Sequence, residues 1–226
     1  MYNYSNSKIL TFFPFLGLII FVSFTTIAIL FYPGSTYLDP NSVGYNFFYN
    51  FLSDLGRTLT FNYENNFLSA FFFNNAMFIC GILFIFFYIA LPCYFYDDSF
   101  LYTCSIFGSI LCGLGSASFT LVGLTPADLY LSQHIFFADN IFYISFPGAI
   151  IYSFVILRSR NLPHIYGMGY FSFSIALIAY ILILEIGPPP RTEFGLIVQA
   201  TAQKIIAICF VFAAWMLARG IKKYFN

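Results

Sequence analysis

Residues 66–91 read NFLSAFFFNNAMFICGILFIFFYIAL, a run without a charged side chain that ends at Pro92. A bilayer core takes roughly 20 apolar residues per helix. The run therefore reads as a membrane-spanning helix, and proline is a natural place for it to stop. Five further runs of the same kind lie at about 9–31, 99–124, 132–157, 167–186 and 194–217. The run at 9–31 is too long for a signal-peptide core and has no small-residue cleavage site, so it reads as a retained helix. The fifth is stopped by Gly187 and three prolines, Pro188 to Pro190.

Composition points the same way. Of the 226 residues 60% are hydrophobic and only 8% charged, whereas a soluble domain covers its surface with about a quarter charged residues. The expected fold is all-α, an integral membrane bundle of six transmembrane helices forming a single domain over 1–226. Nine basic and nine acidic residues cancel, which argues against nucleic acid as a partner. The five cysteines form no CxxC pair, so neither a disulfide framework nor a zinc knuckle is expected. No phosphate loop, dinucleotide fingerprint or haem ligand pair is present, and no cofactor or metal is expected. The bilayer is the implied partner.

Basic residues orient such a bundle. With the N-terminus inside, Lys8, Arg158, Arg160, Arg219, Lys222 and Lys223 are cytoplasmic, and only Arg57, Arg191 and Lys204 fall outside. The expected placement is the cell membrane with both termini cytoplasmic. In the long first outer connection, 33–65, the aromatic-rich segment Tyr45–Leu55 is expected to form a short interfacial or re-entrant helix, with Gly56 as its stop.

Under this topology the unusual polar residues gather on the outer side. Ser53, Asp54 and Arg57 come from the first connection and Asn66 from the start of the second helix. Asp128 and His134 follow the third helix, Asp139 lies deeper in the fourth, Glu185 ends the fifth, and Gln203 and Lys204 open the sixth. A charge in the hydrocarbon costs a few kcal/mol, so such groups face a partner or a wet cavity. Asp139 follows His134 by five residues, about 7 Å deeper and about 140° around the helix. Arg57, the sole cation of its connection, is expected to pair with Asp54 or Asp128. The alternative for the uncharged members is interhelical glue. The small residues of 112–118 are expected to let helices approach closely.

The stretch 51–58, FLSDLGRT, followed by Asn65, Asn66 and Ser69, resembles a domain-of-unknown-function family of short prokaryotic membrane proteins grouped with the FRAG/DRAM/Sfk membrane proteins. Gly123-Leu-Thr-Pro126 with Asp128 and His134, the Gln203–Lys204 pair, and Trp215 fit the same resemblance. It implies a six-helix bundle and no established activity.

Three functions compete. The favoured one is a non-enzymatic protein that binds a lipid or small ligand in an outward-facing polar pocket. The first alternative is a lipid-modifying hydrolase using Asp128, His134 and Asp139. The second is a small proton-coupled carrier using Asp139 and Glu185, for which a homo-oligomer is expected because six helices are few for a monomeric carrier.

Overall fold

In the computed structural model the backbone is described for residues 4–225 and the side chains for residues 8–223. Six helices among them are long and apolar enough to cross a membrane. They are α1 (Tyr4–Phe31), α2 (Phe67–Ala90), α3 (Ser99–Val122), α4 (Leu131–Arg158), α5 (His164–Ile186) and α6 (Glu193–Phe225). The described residues form no strand, only two isolated bridges in the first connection. The fold is that of a multi-pass membrane protein.

Each helix packs on its neighbours in chain order, and α6 returns to α1, so the six close into a ring. The ring has two ends. The loop pole carries residues 33–66 with the α3–α4 and α5–α6 connections; the terminal pole carries the start of α1, the end of α6 and the α2–α3 and α4–α5 connections. The α1–α6 seam is the loosest of the neighbouring contacts. Without a hydrophobic drive between helices in lipid, close approach depends on small residues. Gly81 shows this on the α2–α3 wall, where a Cβ would strike the Thr120 hydroxyl and amide and the Ser116 carbonyl. The expected role of the small residues in 112–118 is met at Gly115, where a Cβ would strike the Ser145 hydroxyl of α4.

Phenylalanines fill the middle of the ring. Phe210 of α6 is the hub, with ring centroids 5.2 Å from Phe84, 5.9 Å from Phe119, 6.3 Å from Phe173 and 6.4 Å from Phe21. These tilted and edge-to-face pairs add about 0.5–1.5 kcal/mol each beyond area burial, and they tie five of the six helices at one level.

The first connection differs from expectation. Tyr45–Leu55 is not a helix; only Leu52–Gly56 forms a single 3-10 turn. Two asparagines explain this. Asn46 Oδ1 accepts from the Phe48 amide (3.1 Å) and Asn50 Oδ1 from the Asn46 amide (2.9 Å), local bonds that compete with a helical ladder. The segment is nevertheless folded rather than extended. Asn50, Asp54, Leu55 and Gly56 are buried where it lies across the mouth of the ring.

Candidate functional site: a roofed cavity

The 3-10 turn acts as a roof, and most of the polar residues singled out in the sequence hold it down. On the α6 side, Gln203 Oε1 accepts from the Leu52 amide at 2.6 Å. Lys204, only 3% exposed, donates from Nζ to Asn50 O at 2.5 Å and to Ala200 O at 2.8 Å. The rings of Phe47 and Tyr45 lie 5.1 and 5.6 Å from the same ammonium, close enough for cation–π attraction. At the turn's start, Asp54 Oδ2 accepts from the Phe51 amide at 2.8 Å and from Asn50 Nδ2 at 3.2 Å. Burial pushes the Asp54 carboxyl up to about 6, and these two donations only partly oppose it.

The α2 side holds the turn by its carbonyls. Asn66 Nδ2 donates to Leu55 O (3.1 Å) and Arg57 O (2.8 Å), Ser69 Oγ to Leu55 O (3.1 Å), and Asn74 Nδ2 to Gly56 O (3.0 Å). Gly56 is required by this approach, because a Cβ there would run into Asn74 and Phe73. Past the turn, one carboxylate of Asp128 receives the Thr58 amide (2.9 Å), the Thr58 hydroxyl (2.5 Å) and the Leu59 amide (3.0 Å). Partial burial raises this carboxyl's pKa, but the Thr58 and Leu59 donations outweigh burial and hold it below its ordinary value.

Arg57 overturns its expectation. It pairs with neither Asp54 nor Asp128: Nε donates to Leu59 O (3.2 Å) and the guanidinium lies 4.2 Å from the centre of the Phe61 ring. Asp128 is already filled by neutral donors of the loop, so Arg57 finds its partner in an aromatic face four residues on.

Beneath the roof lies a cavity of about 120 Å³, to which all six helices and the turn contribute. Leu52 and Ser53 line it at the roof, beside His134 and Gln203; the Phe collar surrounds it, and Tyr88 and Tyr170 reach it from the terminal side. Its walls are mainly apolar. The polar cluster expected as pocket lining is thus largely spent on the roof, and only Ser53, His134 and Gln203 of the expected set reach the cavity. His134, 6% exposed, donates from Nδ1 to Thr125 O at 2.7 Å, which leaves Nε2 as an acceptor.

The remaining two candidates sit elsewhere. Tyr143 of α4 donates its hydroxyl to Glu185 of α5, and Asp139 lies one turn before Tyr143 on α4. Asp128, His134 and Asp139 do not form one constellation, since the first two are committed to Thr58/Leu59 and Thr125. Among the described residues no group of three or more His, Cys, Asp or Glu could hold a metal ion.

A second polar network was missed from the sequence. Toward the terminal pole the hydroxyls of the buried Tyr88 and Tyr170 meet at 3.1 Å. Ser109 Oγ donates to Tyr88 O (2.5 Å) and also meets the Tyr152 hydroxyl, which donates to Ser105 O at 3.1 Å. The available signal was weak: Tyr152 stands five residues inside the end of its run, while Tyr88 and Tyr170 lie three residues from the ends of theirs, where tyrosine is favoured at the interface. Comparison with known proteins supplies no relative: no protein-family model, no curated protein and no solved structure matches the chain.

Proposed function

We propose that this protein is a non-enzymatic membrane protein that holds a lipid or other apolar small ligand in the roofed cavity. One observation carries the reading: six helices and a stapled turn enclose an apolar space that the Phe collar does not fill. A comparable space of about 150 Å³ in a protein core stays dry and takes up apolar molecules. The few polar atoms at its loop end, His134 Nε2 among them, suit the fixing of one polar group on an otherwise greasy ligand.

Native mass spectrometry of protein released from lipid nanodiscs tests this. The wild-type chain is expected to retain a bound lipid that Ala138→Phe, which fills the cavity, releases without loss of the folded state. Equal retention by both proteins would contradict the reading. The six-to-three distribution of basic residues supports a loop pole on the outer side of the cell membrane, and labelling of single cysteines at positions 63 and 223 with an impermeant maleimide on intact cells reads this directly. Reaction at 63 alone is expected; reaction at 223 alone would invert the topology.

The carrier reading keeps one observation in its favour, the Tyr143–Glu185 bond beside Asp139 on the α4–α5 seam. Its test is proton-driven uptake into proteoliposomes, lost in Asp139→Asn and Glu185→Gln if the reading holds.

A further inference from the structure

A second space opens on the outside of the ring. It is a groove of about 250 Å³ along the α1–α6 seam, lined by Val22, Thr25 and Ile29 of α1 and by Lys204, Ile208 and Val211 of α6, with Tyr45 and Phe47 of the first connection over its upper end. The seam is the loosest in the ring, and Val22, Ile208 and Phe47 are exposed on the bundle's surface, where the solvent is lipid. Three residues line both this groove and the central cavity: Phe21, Leu52 and Ala207. They form a threshold one side chain thick between the bilayer and the interior.

Two polar groups at the groove lack the partners their burial demands. Thr25 is 8% exposed and its buried hydroxyl makes no hydrogen bond. An ammonium has three donors; Lys204 uses two, both on carbonyl oxygens, and among the described residues no carboxylate is ion-paired with it. Asp54 acts on the ammonium only from beyond ion-pair distance, so no anion touches this buried cation. Thr201, three residues before Lys204 and so on the same side of α6, also has a buried hydroxyl without a partner.

We propose that the α1–α6 seam is a lateral portal for a long-chain fatty acid, whose carboxylate sits between Lys204 Nζ and the Thr25 hydroxyl and whose chain crosses the Phe21–Leu52–Ala207 threshold into the central cavity. This rests on the cavity-binding reading and names its ligand class and its route. The donor set selects the class. One remaining N–H and one hydroxyl match the two oxygens of a carboxylate, whereas a phosphate monoester brings more oxygens and more charge than one lysine answers. A single chain also suits a threshold of three side chains.

The test uses the full chain in lipid nanodiscs and palmitic acid carrying a mid-chain diazirine and a terminal alkyne, with crosslinked peptides mapped by mass spectrometry. Adducts are expected on α1 and α6 at the seam and on the Phe collar, competed by palmitate and not by methyl palmitate. Lys204→Gln is expected to weaken labelling about tenfold, the loss of one charge-assisted contact. Because Lys204 also holds Asn50, Thr25→Val is the companion variant; the Thr25 hydroxyl makes no hydrogen bond to the roof, and its loss is expected to weaken labelling about threefold. Ala207→Phe is expected to keep seam adducts and lose collar adducts. Equal competition by methyl palmitate, unchanged labelling in both Lys204→Gln and Thr25→Val, or stronger competition by phosphatidylglycerol than by palmitate would overturn the proposal. Collar adducts that persist without seam adducts would sink the portal while leaving the cavity reading intact; seam adducts with no collar adducts in the wild type would refute the route and the cavity reading together.

Discussion

The two poles of the ring both bury polar groups, and they do so for different ends. At the terminal pole the Tyr88, Tyr152, Tyr170 and Ser109 hydroxyls bond to one another and to helix carbonyls. Every member is uncharged and belongs to a helix of the wall. At the loop pole the partners are polar side chains reaching over from α2, the α3–α4 connection and α6, the ionisable Asp128 and Lys204 among them, and what they grip is one ten-residue segment, 50–59. A neutral network inside a wall cannot be removed without loosening the wall. A roof held by side chains that reach over to it is a separate unit, able to lift while the ring persists. Local opening of such units at a free energy below that of the whole fold is general in proteins.

The contrast can be broken from the wall outward. The largest effect is expected for Gly81→Val, which drives methyl groups into Ser116 and Thr120. Overpacking of about 3 kcal/mol should lower the unfolding temperature and expose both poles together. Asp128→Ala removes the acceptor of three roof bonds and should cost about 2 kcal/mol of roof docking. Hydrogen exchange is expected to quicken at 50–59 and to stay unchanged at 88–109. If both regions respond equally, the roof is no separate unit. Tyr152→Phe comes next, at about 1 kcal/mol, and here the pattern should reverse, with faster exchange at 105–109 and none at the roof.

The smallest expected effect is pH dependence, and its sign separates the two roof carboxyls. Asp54 has a folded value near 6 against an ordinary 3.8. The docked state therefore holds its proton more tightly, and docking weakens as pH rises from about 4 through 6. Asp128 is depressed, so its contribution is present above the ordinary value and is lost only on acidification below it. Roof protection should decline between pH 4 and 7 in the wild type and stay flat in Asp54→Asn over that range. A rise instead would reverse the assignment of burial as the dominant influence on Asp54.

What was legible in the sequence follows from what each signal encodes. The six helices were readable because lipid forces long uncharged runs, and Pro92 and Pro188–Pro190 marked ends that lie where expected. The residues of the loop pole were readable as a group, since Asp54, Asn66, Asp128, Gln203 and Lys204 are expensive near a bilayer. Their purpose was not. Asp54 meets its own turn, the others meet backbone groups of a separate segment, and no spacing in the chain announces an amide at Leu52 as the partner of Gln203. Aromatic density over 45–55 looked helical, while the Asn46 and Asn50 side chains were spending their oxygens on local turns. Arg57 was matched to a carboxylate by charge alone, although Phe61 stood only four residues away. The Phe collar left no trace in hydropathy, which treats every phenylalanine alike.

The central claim is that the polar residues of the loop pole dock a roof over an apolar cavity. Residue-resolved hydrogen exchange of the wild-type chain in nanodiscs tests it most directly, at the amides of Leu52, Thr58 and Leu59. All three lie outside the six spanning helices, yet each donates to a side chain of another element. They are expected to exchange about a hundredfold or more slowly than unstructured peptide, an opening free energy of roughly 3 kcal/mol. Exchange at the rate of an unstructured loop, with the six helices protected, would contradict it.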